Sequence, residues 1–145
     1  MQVHQDLDIH HYSIKGYSKG EITVMVPLLA ELNNETNAEG RPSRGLEQET
    51  LTASLIITAD HLARNWPPQK VDSLTESDIQ QLLDLNPEVV IIGTGATLEW
   101  PDRRLLKPLM EARIGYEIMD TAAACRTYNV LSYEGRKVAA ALMMI

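Results

Sequence analysis

The sequence predicts a single α/β domain over residues 1–145, with a mixed, mostly parallel sheet, a right-handed strand–helix–strand crossover and helices on both sides. Three observations carry that prediction. Residues 88–92 (EVVII) carry four consecutive apolar residues after Glu88 and are closed by Gly93, as in a strand buried on both faces. Helical spacing with caps recurs at 76–85, 101–112 and 122–133, separated by strand-like segments. The length, 145 residues, suits one hydrophobic core.

Residues 1–9 are polar and read as a loose end. Tyr12–Tyr17 (YSIKGY) and Glu21–Val26 (EITVMV) alternate as strands, joined by a turn at Ser18-Lys19-Gly20. Residues 27–49 are rich in Asn, Glu, Gly, Pro and Ser, without an apolar period, and predict a long exposed loop or insertion. Thr50–Thr58 (TLTASLIIT) is β-branched and predicts one strand. Asp60–Asn65 predicts one helical turn, ended by Trp66-Pro67-Pro68.

Thr75 followed by Asp78 predicts an N-cap for a helix 76–85, with Ile79, Leu82 and Leu83 as its apolar stripe and Asn86-Pro87 as its stop. After the strand 88–92, Gly93-Thr94-Gly95 is a turn. Pro101 is placed at the first position of the next helix, and Leu105, Leu106, Leu109 and Met110 give helical spacing through Ala112. Gly115 ends that helix and 116–119 is a second strand, parallel to the first. Asp120 or Thr121 caps a last helix, 122–133. Gly135 breaks it, so 136–143 reads as a closing strand.

The formal net charge of −7 argues against nonspecific nucleic-acid binding, which needs basic side chains to displace counterions. Residues 1–100 hold 6 basic and 15 acidic side chains, and residues 101–145 hold 7 and 5, so an anion is least repelled in the last third. Cys125 is the only cysteine, which predicts a reducing, cytoplasmic setting. Met1–His11 lacks the apolar stretch of a signal peptide, and no run reaches the ~18 apolar residues of a membrane span. His4, His10 and His11 are ligand types without fixed spacing, and His61 stands alone. No metal and no cofactor is predicted.

The candidate site follows from the crossover. Loops after two parallel strands open on the same edge of the sheet, where α/β proteins bind ligands. That edge collects Gly93, Thr94 and Gly95 after strand 88–92, and Thr121, Cys125 and Arg126 after strand 116–119, with Thr97 and Tyr128 near them. The Gly-Thr-Gly turn lacks the third glycine of a dinucleotide loop and the Gly-Lys-Ser/Thr of a P-loop. It reads first as a tight turn and second as an anion site. Arg126 is either a ligand group or a structural partner of Asp120 or Glu99. Cys125, at a helix start beside an arginine, is either a reactive thiol or, in the run Ala122–Cys125, a small packing group. No carboxylate pair, Ser–His–Asp set or Cys–His dyad is present to make it an enzyme.

The runs SLIIT (54–58), WPP (66–68), PEVVIIGTG (87–95), Trp100-Pro101 and MDTAAACRTYNVLSYEGRKVAAALM (119–143) resemble the family that includes mitochondrial complex I assembly factor 3 and mostly uncharacterised bacterial and archaeal proteins. The resemblance implies a small α/β domain with a mixed sheet, no established catalytic residues, and a role in assembly through protein contacts. It also implies a short turn where this chain has about twenty residues near 27–48, and a Phe where this chain has Trp100.

Taken together, the sequence predicts a non-catalytic binding or assembly protein with a protein partner, no transmembrane segment and at most peripheral membrane association. The competing expectations are a small-molecule or anion binder, or an enzyme, using the crevice at the carboxyl ends of strands 88–92 and 116–119, and a purely structural module.

Overall fold

Alternating apolar residues and a glycine turn build the first layer. A computed structural model of the chain describes residues 10–27 and 46–145. Strands β1 (Ser13–Ser18) and β2 (Glu21–Pro27) form an antiparallel hairpin in which Ser18 faces Glu21 across Lys19-Gly20. Gly20 has φ +79°, which such a turn needs and a glycine supplies. Ile14, Ile22, Val24 and Val26 point inward. Strand β3 (Leu46–Leu51) pairs antiparallel with β2 and completes a three-stranded sheet, β1-β2-β3.

Two expectations are corrected here. The predicted loop 27–49 is bounded by strand at both ends, since Pro27 belongs to β2 and 46–49 to β3; residues 28–45 lie outside the described residues, as do 1–9. The predicted single strand 50–58 is two. β3 ends at Leu51, and β4 (Leu55–Ile57) joins the second sheet. The break has a cause fifteen residues away. Ser54 N and Oγ donate to Gln69 Oε1 (3.3 and 3.2 Å), and Ser54 O accepts from Trp66 N (2.8 Å), so the backbone leaves the first ladder there.

The helical turn expected at 60–65 is instead a hairpin return. β5 (Leu62–Ala63) runs back antiparallel to β4, across a turn in which Asp60 N donates to Thr58 Oγ1 and Thr58 N to His61 O. Leu62 and Trp66 still reach the interior.

The second sheet has the order β5-β4-β8-β6-β7, with β6 at Val89–Gly93, β7 at Gly115–Met119 and β8 at Val138–Leu142. β6 is parallel to both β7 and β8, whereas β4 is antiparallel to β8 and to β5. The sheet is therefore mixed, and the expectation that it is mostly parallel is not met, because the short strands before β6 return by hairpin rather than by helix.

Helix α1 (Glu76–Leu83) starts with a capping box in which Thr75 and Asp78 exchange side-chain to backbone bonds. Helix α2 (Arg103–Glu111) is capped by Asp102, whose carboxylate accepts from Arg104 N (2.9 Å). Pro101 is thus one residue before the cap, not the first helical residue: the carboxylate satisfies a free N–H, which a proline ring cannot do. Helix α3 (Thr121–Tyr133) is capped by Asp120, and Gly135 at φ +85° turns the chain into β8.

Successive residues of the central strands feed two cores. Ile57, Val89, Ile91, Ala140 and Leu142 pack with α3 and the three-stranded sheet. Ile56, Val90, Ile92, Ala139 and Ala141 pack with Trp66, α1 and α2 on the other face. This is why 89–93 and 138–142 carry no polar side chain. Among the described residues no helix is long and apolar enough to cross a membrane.

Candidate functional site

The parallel pairing of β6 with β7 brings the two predicted loops to one rim. Thr94 N donates to Met119 O and Thr121 N to Gly95 O, both at 2.9 Å. Gly95 N donates to Thr121 Oγ1 (2.8 Å), and that hydroxyl donates in turn to Met143 O (2.7 Å). Thr94 Oγ1 donates to Thr97 O (2.7 Å) and accepts from Glu99 N (3.1 Å). Met143 N closes the joint on Gly93 O (3.0 Å).

The glycines are where a side chain has no room. A Cβ on Gly93 would lie 2.9 Å from Thr121 Oγ1, 3.0 Å from Leu142 Cδ2 and 3.1 Å from Ala124 Cβ. Gly95 holds φ +100°, and a Cβ there would lie 3.2 Å from Met144 O. Gly93, Thr94, Gly95 and Thr121 therefore meet as a packed joint between β6, β8 and α3, with the Thr94 and Thr121 hydroxyls bonded to the backbone of Gly95, Thr97, Glu99 and Met143.

The other two candidates lie apart from the joint. Cys125 is fully buried beside Ala124 and Tyr128. Burial pushes its thiol up to about 12, an effect that Arg126 opposes and Asp120 adds to. At neutral pH it is a thiol in a core, the packing group of the two readings. Arg126 is exposed and donates to the Tyr17 hydroxyl on β1. It makes no ion pair with Asp120 or Glu99, and Asp120 serves as the α3 cap, accepting from Ala123 N (2.8 Å). That carboxylate also sets a negative charge where an anion would have to approach the helix. Tyr128 donates from its hydroxyl to Tyr12 O (2.9 Å), away from the rim.

Sequence reasoning missed the concave surfaces. One groove, about 450 Å³, lies between the short 3₁₀ turn Val71–Ser73 with the start of α1 and the start of α2, and Trp100 stands on its wall. Trp100 is 67% exposed and Leu98, on the same loop, 50%. The Trp-Pro pair at 100–101 was the available signal, but an aromatic before a helix reads as core. A second cleft, about 350 Å³, opens at the opposite end of the sheet near Asp60, Asn86, Arg136 and Lys137. Among the described residues no three metal-ligating side chains cluster, and His4 lies outside them.

Comparison with known proteins fits this architecture. Over 85 residues, 57% of this chain and 46% of the relative, the chain is 33% identical to human NADH dehydrogenase (ubiquinone) 1 alpha subcomplex assembly factor 3. It is 32% identical over 68 residues to a 13 kDa major membrane protein of Francisella tularensis, covering 47% of this chain and 55% of that protein. The chain spans about half the length of these curated relatives. A crystal structure of a Bordetella parapertussis protein superposes with a TM-score of 0.71 at 29% identity, covering 92% of this chain and 95% of that one. A Bartonella henselae protein named as an outer membrane protein gives 0.66 at 27%, covering 93% and 97%. Residues 43–143 match the profile of a protein family of unknown function, DUF498/DUF598, and the chain belongs to that family.

Proposed function

We propose that this chain is a non-catalytic, assembly-type domain that works by holding a protein partner. The observation that carries the reading is Trp100, a large aromatic two-thirds exposed on a loop anchored at both ends, by the joint at Thr94 and by the Asp102 cap. A rigidly presented tryptophan is the residue type most often found at the energetic centre of protein interfaces. The similarity to an assembly factor of NADH dehydrogenase supports the same reading. The single cysteine suits a reducing, cytoplasmic location. Membrane association, suggested by the names of two relatives, is read as peripheral.

The reading of Gly93, Thr94, Gly95, Thr121, Cys125 and Arg126 as a ligand site, or as an enzyme's crevice, draws less support. A ligand there would have to displace the internal bonds of Thr94 and Thr121 and face the Asp120 carboxylate. The test is capture from native lysate with the tagged chain and a Trp100→Ala/Leu98→Ser variant. The expected result is a protein that co-purifies with the first and not with the second. No protein above background with the wild-type chain overturns the proposal.

A further inference from the structure

We propose that the groove beside Trp100 takes a basic segment of the partner, with one Arg or Lys side chain laid over the indole and held by Asp72 and Glu76. This inference rests on the protein-partner reading above and specifies the partner's chemistry.

The groove has the parts such a side chain needs. Its floor is apolar, formed by Val71, Leu74 and Leu105, and suits the methylene stem of a long basic residue. Its wall offers an exposed indole, whose face attracts a cation. Its rim is acidic. Asp102 and Arg104, both on that rim, are already joined (Nη2–Oδ2 2.9 Å) and cancel. Asp72 and Glu76 are exposed and pair with no described residue, so the uncompensated charge of the groove is two negatives.

Helix starts attract acids for the helix's own benefit, and Glu76, in the first turn of α1, has that role as well. That role does not explain Trp100, which could have been any small polar residue without loss to α2. An anionic ligand is disfavoured by the same two carboxylates. So is insertion into an anionic bilayer, since Asp72 and Glu76 would be carried toward like charge.

The experiment is a titration of the full chain followed through its amide and indole N–H resonances by NMR. The probes are the peptides acetyl-Leu-Arg-Leu-Arg-amide, its Gln counterpart and its Glu counterpart. The Arg peptide is expected to move the Trp100 indole and the groove amides saturably. The Gln peptide should bind about tenfold more weakly, and the Glu peptide not at all. Asp72→Asn/Glu76→Gln should weaken the Arg peptide about tenfold, leave the Gln peptide unchanged and leave the melting temperature in place. Rising salt should weaken only the Arg peptide.

Equal binding of the Arg and Gln peptides, any preference for the Glu peptide, or no saturable movement of Trp100 at millimolar peptide overturns the inference. So does Trp100-dependent sedimentation with phosphatidylcholine–phosphatidylglycerol vesicles, which would make the aromatic a bilayer contact. The two levels fail separately. If lysate capture succeeds and is indifferent to Asp72→Asn/Glu76→Gln/Trp100→Ala, the groove is refuted while the partner stands. If wild-type capture fails, the partner reading is refuted whatever the peptides do.

Discussion

The side-chain amide of Asn129 takes both backbone groups of Ile14. Nδ2 donates to Ile14 O (2.7 Å), and Oδ1 accepts from Ile14 N (2.9 Å). Ile14, paired with Val24, lies on the edge strand β1 next to the point where its register with β2 slips, between Ile14 and Gly16. One buried amide on α3 thus fixes the bulge of a strand more than a hundred residues away in sequence. Asn129→Ala leaves a buried donor and a buried acceptor without partners, and should cost about 2–4 kcal/mol. Asn129→Asp should cost more, since a carboxylate cannot donate to Ile14 O. Urea unfolding measures both, and a loss under about 0.5 kcal/mol for the alanine variant would mean that the strand is held by other contacts.

The Thr121 hydroxyl is the second such linchpin, because it joins Gly95 N to Met143 O inside the protein. Thr121→Val keeps the shape and removes both bonds, for an expected loss of about 2–3 kcal/mol. Gly95→Val should be worse or fail to fold, since it combines φ +100° with a side chain 3.2 Å from Met144 O. Normal stability of Gly95→Val would show that the turn relaxes to another backbone conformation. Thr121→Ser, which retains the hydroxyl, should recover most of the loss.

What could be seen in the sequence was what neighbouring residues determine. The Lys19-Gly20 turn, the Thr75–Asp78 box, the apolar run at 89–92, the Asp120 cap and the Gly135 exit are each written within a few residues, and each is where expected. The failures are non-local. TLTASLIIT is rich in β-branched residues from end to end, and only the bonds of Ser54 to Gln69 and Trp66 show that it serves two sheets. Residues 46–49 read as loop because β3 is polar along most of its length and is held by pairing with β2 rather than by apolar burial. The meeting of Gly95 with Thr121 followed from parallel topology. That Met143 would come from a third element and use up the hydroxyl did not, and neither did the exposure of Trp100.

Arg126 offers a test of how far the rim is structural. Arg126 is exposed as a residue, and its guanidinium donates to the hydroxyl of buried Tyr17, bridging α3 to β1. A single, partly buried hydrogen bond of this kind contributes modestly, so Arg126→Ala should cost about 1 kcal/mol by thermal or urea unfolding. Tyr17→Phe should be of similar size, and the double variant no worse than the larger single loss if the two act as a pair. A loss above about 3 kcal/mol for Arg126→Ala would instead mark a buried charge partner.

Cys125 provides a pH-dependent prediction whose sign can be worked out. Its thiol is pushed from an ordinary value near 9 to about 12 by burial. In the unfolded chain the same thiol ionises near 9, so between about 9 and 12 the unfolded state gains a charge that the folded state refuses. The stabilisation from keeping the thiol neutral is complete below pH 9 and is lost as pH rises toward 12, by at most about 1.4 kcal/mol per pH unit. The quantity to measure is the stability of wild type minus that of Cys125→Ala, which removes every contribution common to both chains. That difference should be flat from pH 6 to 8 and fall above 9. At pH 8 the folded thiol should react with iodoacetamide far more slowly than in urea, because it is neither ionised nor exposed. Alkylation as fast in the folded chain as in urea would mean that α3 opens readily. The joint at Gly95 and Thr121 would then be the place to look for that motion.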